Sequence, residues 1–397
     1  MLVLKNCKLI KELTEGYDGA LADIVIEGEI IKEILPAGTA DCKDCQVIDL
    51  EGKTLLPGLI DAHVHLFMGK RNGFDRSDRL AVPGGAVLDC LKYAQFLLDL
   101  GYTTVRDVGD EINYPVFAVR DAIDRGDFTG PTIKGTGVTI APRTPGFQSF
   151  EFMLNYADTQ EEMRKVVRKQ FAAGADCIKL YGTGSMMVAD SIPGRRIMEK
   201  DEIAEAVKTA SLRGSYCACH CHGAEAIEVM AELGVRTIEH ATFITEKACR
   251  MLEGKKDQGI VLTVACTTEE MNRLDGYDES AIARFKQINR QRNECLMNAY
   301  ENHDILIGWG TDISMDNLKA YPHIEWLERT RMGMKPVDML KQATINSAML
   351  MGMDDKIGSV KAGKWADFVV VDGDPAENIE VMYNKPVHVI KKGAVIR

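Results

Sequence analysis

The sequence predicts an α/β protein: a (β/α)8 TIM barrel over residues 56–358, and a small β-sandwich domain built from both chain ends, 1–55 and 359–397. Three observations predict it. From Leu55 onward, apolar strand-like runs alternate with amphipathic helical stretches or helical loops, and eight such runs can be counted; this is the rhythm of a parallel sheet wrapped by helices. Before that, apolar and polar residues alternate between turn signals at "EGYDG", "EGE" and "PAGT", as in short antiparallel strands. The tail "IGSVKAGKWADFVVVDGDPAENI" returns to the short-strand style, so both ends are expected to share one domain beside the barrel. A doubly wound open sheet has the same alternation, but no Gly-x-Gly-x-x-Gly opens a helix here.

In order, the strand candidates are "GLIDAHVHL", "YTTVRDV", "PTIKGTGVTI", "DCIKLYG", "YCACHCH", "RTIEHA", "IVLTVA" and "DILIGWG". Between them, "AVLDCLKYAQFLLDLG", "DTQEEMRKVVRKQFAAG" and "DEIAEAVKTASLRG" read as helices. In the second of these, Asp158 followed by Glu161 fits a capping box, and Gly174 fits the stop. Helical segments run from the eighth strand to Leu350.

Composition narrows the function. The chain has 397 residues, 46% of them hydrophobic, enough for one barrel-sized core and a smaller one. A formal net charge of -11 argues against a nucleic-acid or anionic-membrane partner. The opening "MLVLKNCKLIKELTEG" breaks its apolar residues with lysines and has no signal-peptide core. No apolar run reaches the roughly 18 residues a membrane helix needs. Eleven cysteines without a secretion signal point to a reducing, cytoplasmic setting with free thiols. Cys42 and Cys45 form a lone Cys-x-x-Cys, read as loop cysteines ahead of a zinc or redox pair. Cys217, Cys219 and Cys221 alternate with His220 and His222, so they face away from the histidines and read as small packing residues under a helix layer.

The chemistry-bearing residues collect at the strand ends. In "LLPGLIDAHVHLF", Asp61, His63 and His65 share one face of a strand. Taken alone, a His-x-His is better explained by two satisfied core histidines than by a metal. Catalytic residues of such barrels sit at the C-terminal ends of strands. Those ends carry His63 and His65 (first), Lys179 (fourth), His220 and His222 (fifth), His240 (sixth) and Asp312 (past the eighth). Five of the eight histidines fall at these places, which favours the metal reading. Imidazole and carboxylate ligands suit zinc, with manganese, cobalt or iron as alternatives. A lysine inside a barrel has its charged form disfavoured. Lys179 is therefore either ion-paired to a carboxylate such as Asp61 or Asp312, or a neutral amine able to take up carbon dioxide as a carbamate.

These motifs, "PGLIDAHVHL", "CIKLYG", "HCHGAEAI", "TIEHAT", "GWGTD" and the tail "IGSVKAGKWADFVVVDGDP", resemble the metal-dependent amidohydrolase superfamily over nearly the whole chain. The resemblance is greatest to the branch of prolidase-like and Xaa-Arg dipeptidases and imidazolonepropionase-related enzymes. It implies two divalent metal ions, one on His63, His65 and Asp312 and the other on His220 and His240, bridged by carboxylated Lys179 and a hydroxide. Asp312 in that pattern also takes the proton from the attacking water.

Periodicity cannot choose between His220 and His222, which share a face. The resemblance puts the metal histidine first, which favours His220 and leaves His222 to polarise a substrate carbonyl. The alternative, His222-Gly-Ala-Glu225, reads as the His-x-x-Glu of mononuclear deaminases. Where relatives carry Gly-Gly-His after the third strand, this chain has "APRTPGFQSF"; Arg143 there either meets a substrate carboxylate or is a solvated loop residue. Tyr181 either bonds substrate or packs, "LYGTGSMMVADSIPGRR" is expected to cover the site, and Arg195 and Arg196 read as surface charges. The leading expectation is a hydrolase of an amide or peptide bond in a small substrate, of dipeptide or N-acyl amino acid type. The second is a hydrolase or deaminase of a cyclic amide or amidine, and the remote third a non-catalytic binding protein on the same fold. The expected partners are a small-molecule substrate and other copies of the chain.

Overall fold

The computed structural model describes residues 1–41, 43, 45–69, 84–145, 147–184, 194–268 and 279–397. Its parallel strands follow one another in sequence order. The first, Leu59–Val64, pairs with the second, Tyr102–Asp107. The fourth to eighth are Ile178–Tyr181, Cys217–Cys221, Thr237–His240, Gly259–Leu262 and Leu306–Trp309, each parallel to the next. The third is broken in two. Thr132–Gly135 pairs with the second strand and Thr139–Ala141 with the fourth. Gly137 lies at the break with φ +69°, and a Cβ there would sit 2.3 Å from Gln170 Oε1; the turn needs glycine.

The eighth strand meets the first through its own exit. Asp312 N donates to His63 O at 2.9 Å, and Thr311 donates to Asp61 from its N at 3.1 Å and from its Oγ1 at 2.7 Å. The strand order is therefore that of the expected barrel, and these contacts settle the role of Asp61: it ties the last strand to the first.

The helices Gly85–Asp99, Gln160–Ala173 and Lys200–Ser211 stand where amphipathic periodicity puts them. One cap differs. Thr159, not Asp158, is the N-cap, its side chain accepting from Glu162 N, while Glu162 Oε2 accepts from Asp158 N at 2.8 Å. The cap moves one residue because Thr159 has the extended backbone a cap requires, and the box stays open, since Glu162 accepts from the N–H before the cap and not from that of Thr159. Gly174 ends the helix in the left-handed region as expected.

After the eighth strand, short helices lean on the seventh and eighth strands through Arg329. This fully buried guanidinium donates to Glu325, Gln342 and Leu262 O, and lies over the Trp309 ring. Glu325 in turn accepts from Val264 N and Ala265 N, which fixes the turn leaving the seventh strand. No helix among the described residues is long and apolar enough to cross a membrane.

The chain ends share one sheet. Strands Leu2–Leu9, Leu21–Glu27, Ile30–Pro36, Gln46–Asp49 and Thr54–Pro57 join Phe368–Val371, His388–Lys391 and Ala394–Val395. The seam is the antiparallel pairing of Phe368–Val371 with Thr54–Pro57. Leu4, Ile24, Leu55, Phe368 and Ile390 form its buried core. The purely antiparallel expectation fails at one strand: Leu2–Leu9 pairs in parallel with Gln46–Asp49 and with Thr54–Pro57. The segment leaving Ile30–Pro36 carries the chain back to the start of Leu2–Leu9 before it re-enters the sheet, so the new strand runs the same way as the old one.

Arg329→Met is expected to destabilise the protein by about 3–5 kcal/mol, because it leaves Glu325 buried without its cation. The urea unfolding midpoint measures this, and an unshifted midpoint would show that Arg329 does not hold the turn.

Candidate metal centre

The strand ends converge on two groups of ligand atoms. His220, His222 and His240 form one, and His63, His240 and Asp312 the other; within each, the atoms lie within 4.8 Å of one another. The groups share His240, so the two candidate positions are neighbours. His65 Nε2 lies 3.6 Å and His63 Nε2 3.8 Å from Asp312 Oδ1.

The hydrogen bonds behind the rings decide which nitrogen faces inward. His65 Nδ1 is 3.2 Å from the Gly109 carbonyl, which can only accept. Nδ1 therefore carries the proton, and the Nε2 lone pair is free for a metal. His63 Nδ1 is held in the same way by Glu239 Oε2 at 2.7 Å. Thr242 Oγ1 and Thr263 Oγ1 support His222 Nδ1 and His240 Nδ1, both at 2.7 Å. His220 Nε2 is buried with no hydrogen-bond partner, and its ring stacks on Tyr181 at 4.1 Å. An orphaned buried imidazole nitrogen is costly unless something binds it.

Protonation suits the same purpose. Burial, then the Lys179 charge, holds His65 down at about 4 and His222 at about 3. Burial first also holds His63, His220 and His240 well below the ordinary imidazole value. All five rings are thus neutral at pH 7, the ligating form. Lys179 is buried, and its pKa is lowered chiefly by desolvation, with Glu239 and Asp312 opposing. No described carboxylate forms an ion pair with it. Of the partners the sequence offers, Asp61 is claimed by Thr311 and His63 N, and Asp312 acts on the Lys179 charge without forming an ion pair with it. The donor set fits divalent metal.

A family model for the amidohydrolase family matches residues 54–396. The chain belongs to that family. Among similar proteins are an ochratoxinase of Aspergillus niger, 25% identical over 374 residues, covering 86% of this chain and 75% of the relative, and an imidazolonepropionase of Symbiobacterium thermophilum, 25% identical over 417 residues, covering 96% and 88%. Among solved structures, a prolidase complexed with N-methylphosphonate-L-proline superposes with a TM-score of 0.85 at 25% identity, covering 100% of this chain and 99% of that one. A Xaa-Pro dipeptidase with methionine bound in its active site gives 0.84, also at 25% identity and with the same coverage.

This amidohydrolase treats the other sequence-predicted residues differently. Tyr181 sits between His220 and the buried ring of Phe147, 5.0 Å away. Arg143 is exposed, pairs with Asp158 and lies over Tyr156, the arrangement of the solvated-loop reading. Glu225 is 63% exposed and pairs with Arg196, so the His-x-x-Glu pattern assembles no proton shuttle inside the barrel. Arg195 is exposed as expected. Cys217, Cys219 and Cys221 are buried in the main core, and all described cysteines are free thiols. Cys42, and residues 185–193 of the loop after Lys179, lie outside the described residues.

Two supporting residues escaped the sequence reading. Glu239 bridges His63 and Arg106, whose NH2 donates to Glu239 Oε1 at 2.8 Å. Arg106 is fully buried and also bonds Ala62 O and Thr237 Oγ1. The available signal was charge: a Glu in "TIEHA" and an Arg in "TTVRDV", both inside apolar strands. Gly310 also matters, since a Cβ there would stand 2.6 Å from His63 Cβ.

Outer partners of metal ligands typically contribute 10- to 100-fold in affinity. Glu239→Gln is accordingly expected to weaken metal binding by about 10- to 100-fold, measured by competition with a chromophoric chelator. Unchanged affinity in the folded variant would show that the bond orients nothing.

Proposed function

We propose that this amidohydrolase uses two divalent metal ions, carried on a (β/α)8 barrel, to hydrolyse an amide or peptide bond of a small substrate of dipeptide or N-acyl amino acid type. The observation that carries the reading is Lys179: a buried amine whose charge acts on all five imidazoles, in no ion pair with a described carboxylate, and with its charged form disfavoured chiefly by burial against the opposing pull of Glu239 and Asp312. A neutral amine adds to carbon dioxide and releases a proton, and the resulting carbamate has two oxygens with which to join two metal positions. In this reading His63, His65 and Asp312 hold one ion and His220 and His240 the other. Zinc suits this ligand set. Such ions, when bound, lower the pKa of water and polarise a carbonyl.

The protein's own groups do the rest. In this reading Asp312, raised to about 7 chiefly by burial, accepts a proton from the attacking water and returns it to the leaving amine; its position beside His65 and His63 supports this. In the same reading His222, supported by Thr242, steadies the substrate carbonyl, and Tyr181 contacts substrate beside it. His65 and Asp312, with side chains 13% and 21% exposed, mark the open side, while His63 and Glu239 are closed to solvent.

The imidazolonepropionase relative favours a cyclic amide as the second reading. One product from ring opening, rather than two from cleavage, would identify it. Deamination finds less support, because Glu225 faces solvent.

Purified protein is expected to carry close to two divalent ions per chain. Lys179→Ala is expected to lose metal and activity, with partial recovery of both in acetate or propionate, whose carboxylate can occupy the gap. Metal content by elemental analysis, and intact mass for the added carboxyl group, check this; an unmodified lysine in active, metal-loaded protein would end the bridging role. Asp312→Asn is expected to lose about 10²–10⁴-fold in kcat, the usual worth of general-base assistance. A well-folded, metal-loaded Asn variant with near-normal turnover would remove that role from Asp312.

A further inference from the structure

One buried cation near the centre has no part in the reading above. Arg292 lies on the helix Glu279–Asn302, is 5% exposed, and reaches the turn that leaves the seventh strand. Its NH1 donates to Val264 O at 3.0 Å and to Thr267 Oγ1. Val264 follows Thr263, whose hydroxyl supports His240. The Arg292 charge also acts on His222 and on Cys266, which hydrogen-bonds Thr263. Arg292 therefore stands beside the sixth- and seventh-strand side of the metal centre.

Its remaining edge is weakly held. Nε and NH2 both donate to Asn293 Oδ1, at 3.0 and 2.8 Å, a neutral acceptor on the neighbouring residue. Arg292 forms no ion pair with any described residue. Of the two carboxylates that act on its charge, Glu325 is already matched to Arg329 and Glu328 to Arg331. Buried guanidinium groups are ordinarily compensated by an anion, and a planar fork suits a carboxylate.

We infer that Arg292 binds a free carboxylate of the substrate, displacing Asn293 from the Nε–NH2 edge, so that the enzyme selects acids over their neutral amides. The inference rests on the hydrolase reading for its meaning, but its test does not depend on turnover.

The test uses metal-loaded protein and a panel of N-acetyl amino acids beside their C-terminal carboxamides. Binding is read by calorimetry or competitive inhibition, and KM and kcat are read where hydrolysis occurs. The parent is expected to favour acids by about 10- to 100-fold, the usual worth of a hydrogen-bonded charge pair. Arg292→Met is expected to bring that ratio close to one, mainly through KM, with metal content retained. Arg292→Lys should keep part of the preference, and it carries the test if the Met variant does not fold. Thr267→Val, which removes the turn contact and leaves the charge, should keep it. Equal binding of acids and amides by the parent overturns the inference, as does a preference surviving intact in Arg292→Met or, where that does not fold, in Arg292→Lys. Loss of the preference in Thr267→Val would also overturn it, by assigning Arg292 to holding the turn. Acid-selective binding without any hydrolysis would sink the hydrolase reading and leave the carboxylate site standing.

Discussion

The centre is anchored by a carboxylate buried between two bases. Glu239 on the sixth strand takes Arg106 from the second and His63 from the first, so one side chain ties three strands together across the interior. Burying such a group is expensive, and an apolar replacement of equal shape is often as stable or more so. Stability alone does not account for it. Orientation does: the Glu239 bond fixes the His63 ring, fixes its tautomer and leaves Nε2 facing the pocket. Gly310 allows His63 its position by bringing no Cβ against it, and Gly109 does the same for His65, whose ring carbon would lie 2.9 Å from an added Cβ. The two rings are thus oriented by the protein alone.

Desolvation has opposite consequences for the basic groups near the pocket. It lowers the pKa of both Lys179 and Arg292. A lysine begins close enough to neutrality for burial to favour the free amine, whereas a guanidinium begins so high that it stays charged. The same physical effect thus disfavours the charged lysine at one position and leaves a cation at the other. On the proposed reading, these become a bridge between metals and a seat for the substrate's acid group. The imidazoles follow the lysine: burial keeps them neutral, so a metal meets lone pairs rather than protons.

Backbone strain concentrates at the same strand ends. His240, Ala241 and Asp312 have φ of 69°, 48° and 52°, a region that side chains other than glycine rarely adopt. Strict alternation would put His240 on the face opposite Glu239 and Thr237. Those two point inward to Arg106, so the left-handed turn is what brings His240 back over the pocket. Asp312 similarly leaves the eighth strand in a strained conformation, with its N–H bonded to His63 O. Asp61 holds Thr311 beside it, and the closure between last and first strand bears the strain.

The sequence by itself determined the strand rhythm, the placing of five histidines, Lys179 and Asp312 at strand ends, and the return of the tail to the opening sheet. These are local properties: side-chain alternation with period two, helix periodicity, and apolar runs that must be buried. It also carried the family resemblance, because the ligand motifs are short and contiguous. Only the tertiary structure decided that the third strand breaks at Gly137, that Leu2–Leu9 pairs in parallel, and that Glu225 turns to solvent while His222 stays inside. Only the fold exposed Glu239 and Arg106 as supports of the centre. Their partners lie far away in sequence, as with the 176 residues separating His63 from Glu239. Periodicity reports which face a residue occupies on its own strand or helix. Which distant charge, hydroxyl or carbonyl meets it there is fixed by the register of strands around the barrel, and that arises only when the whole ring closes.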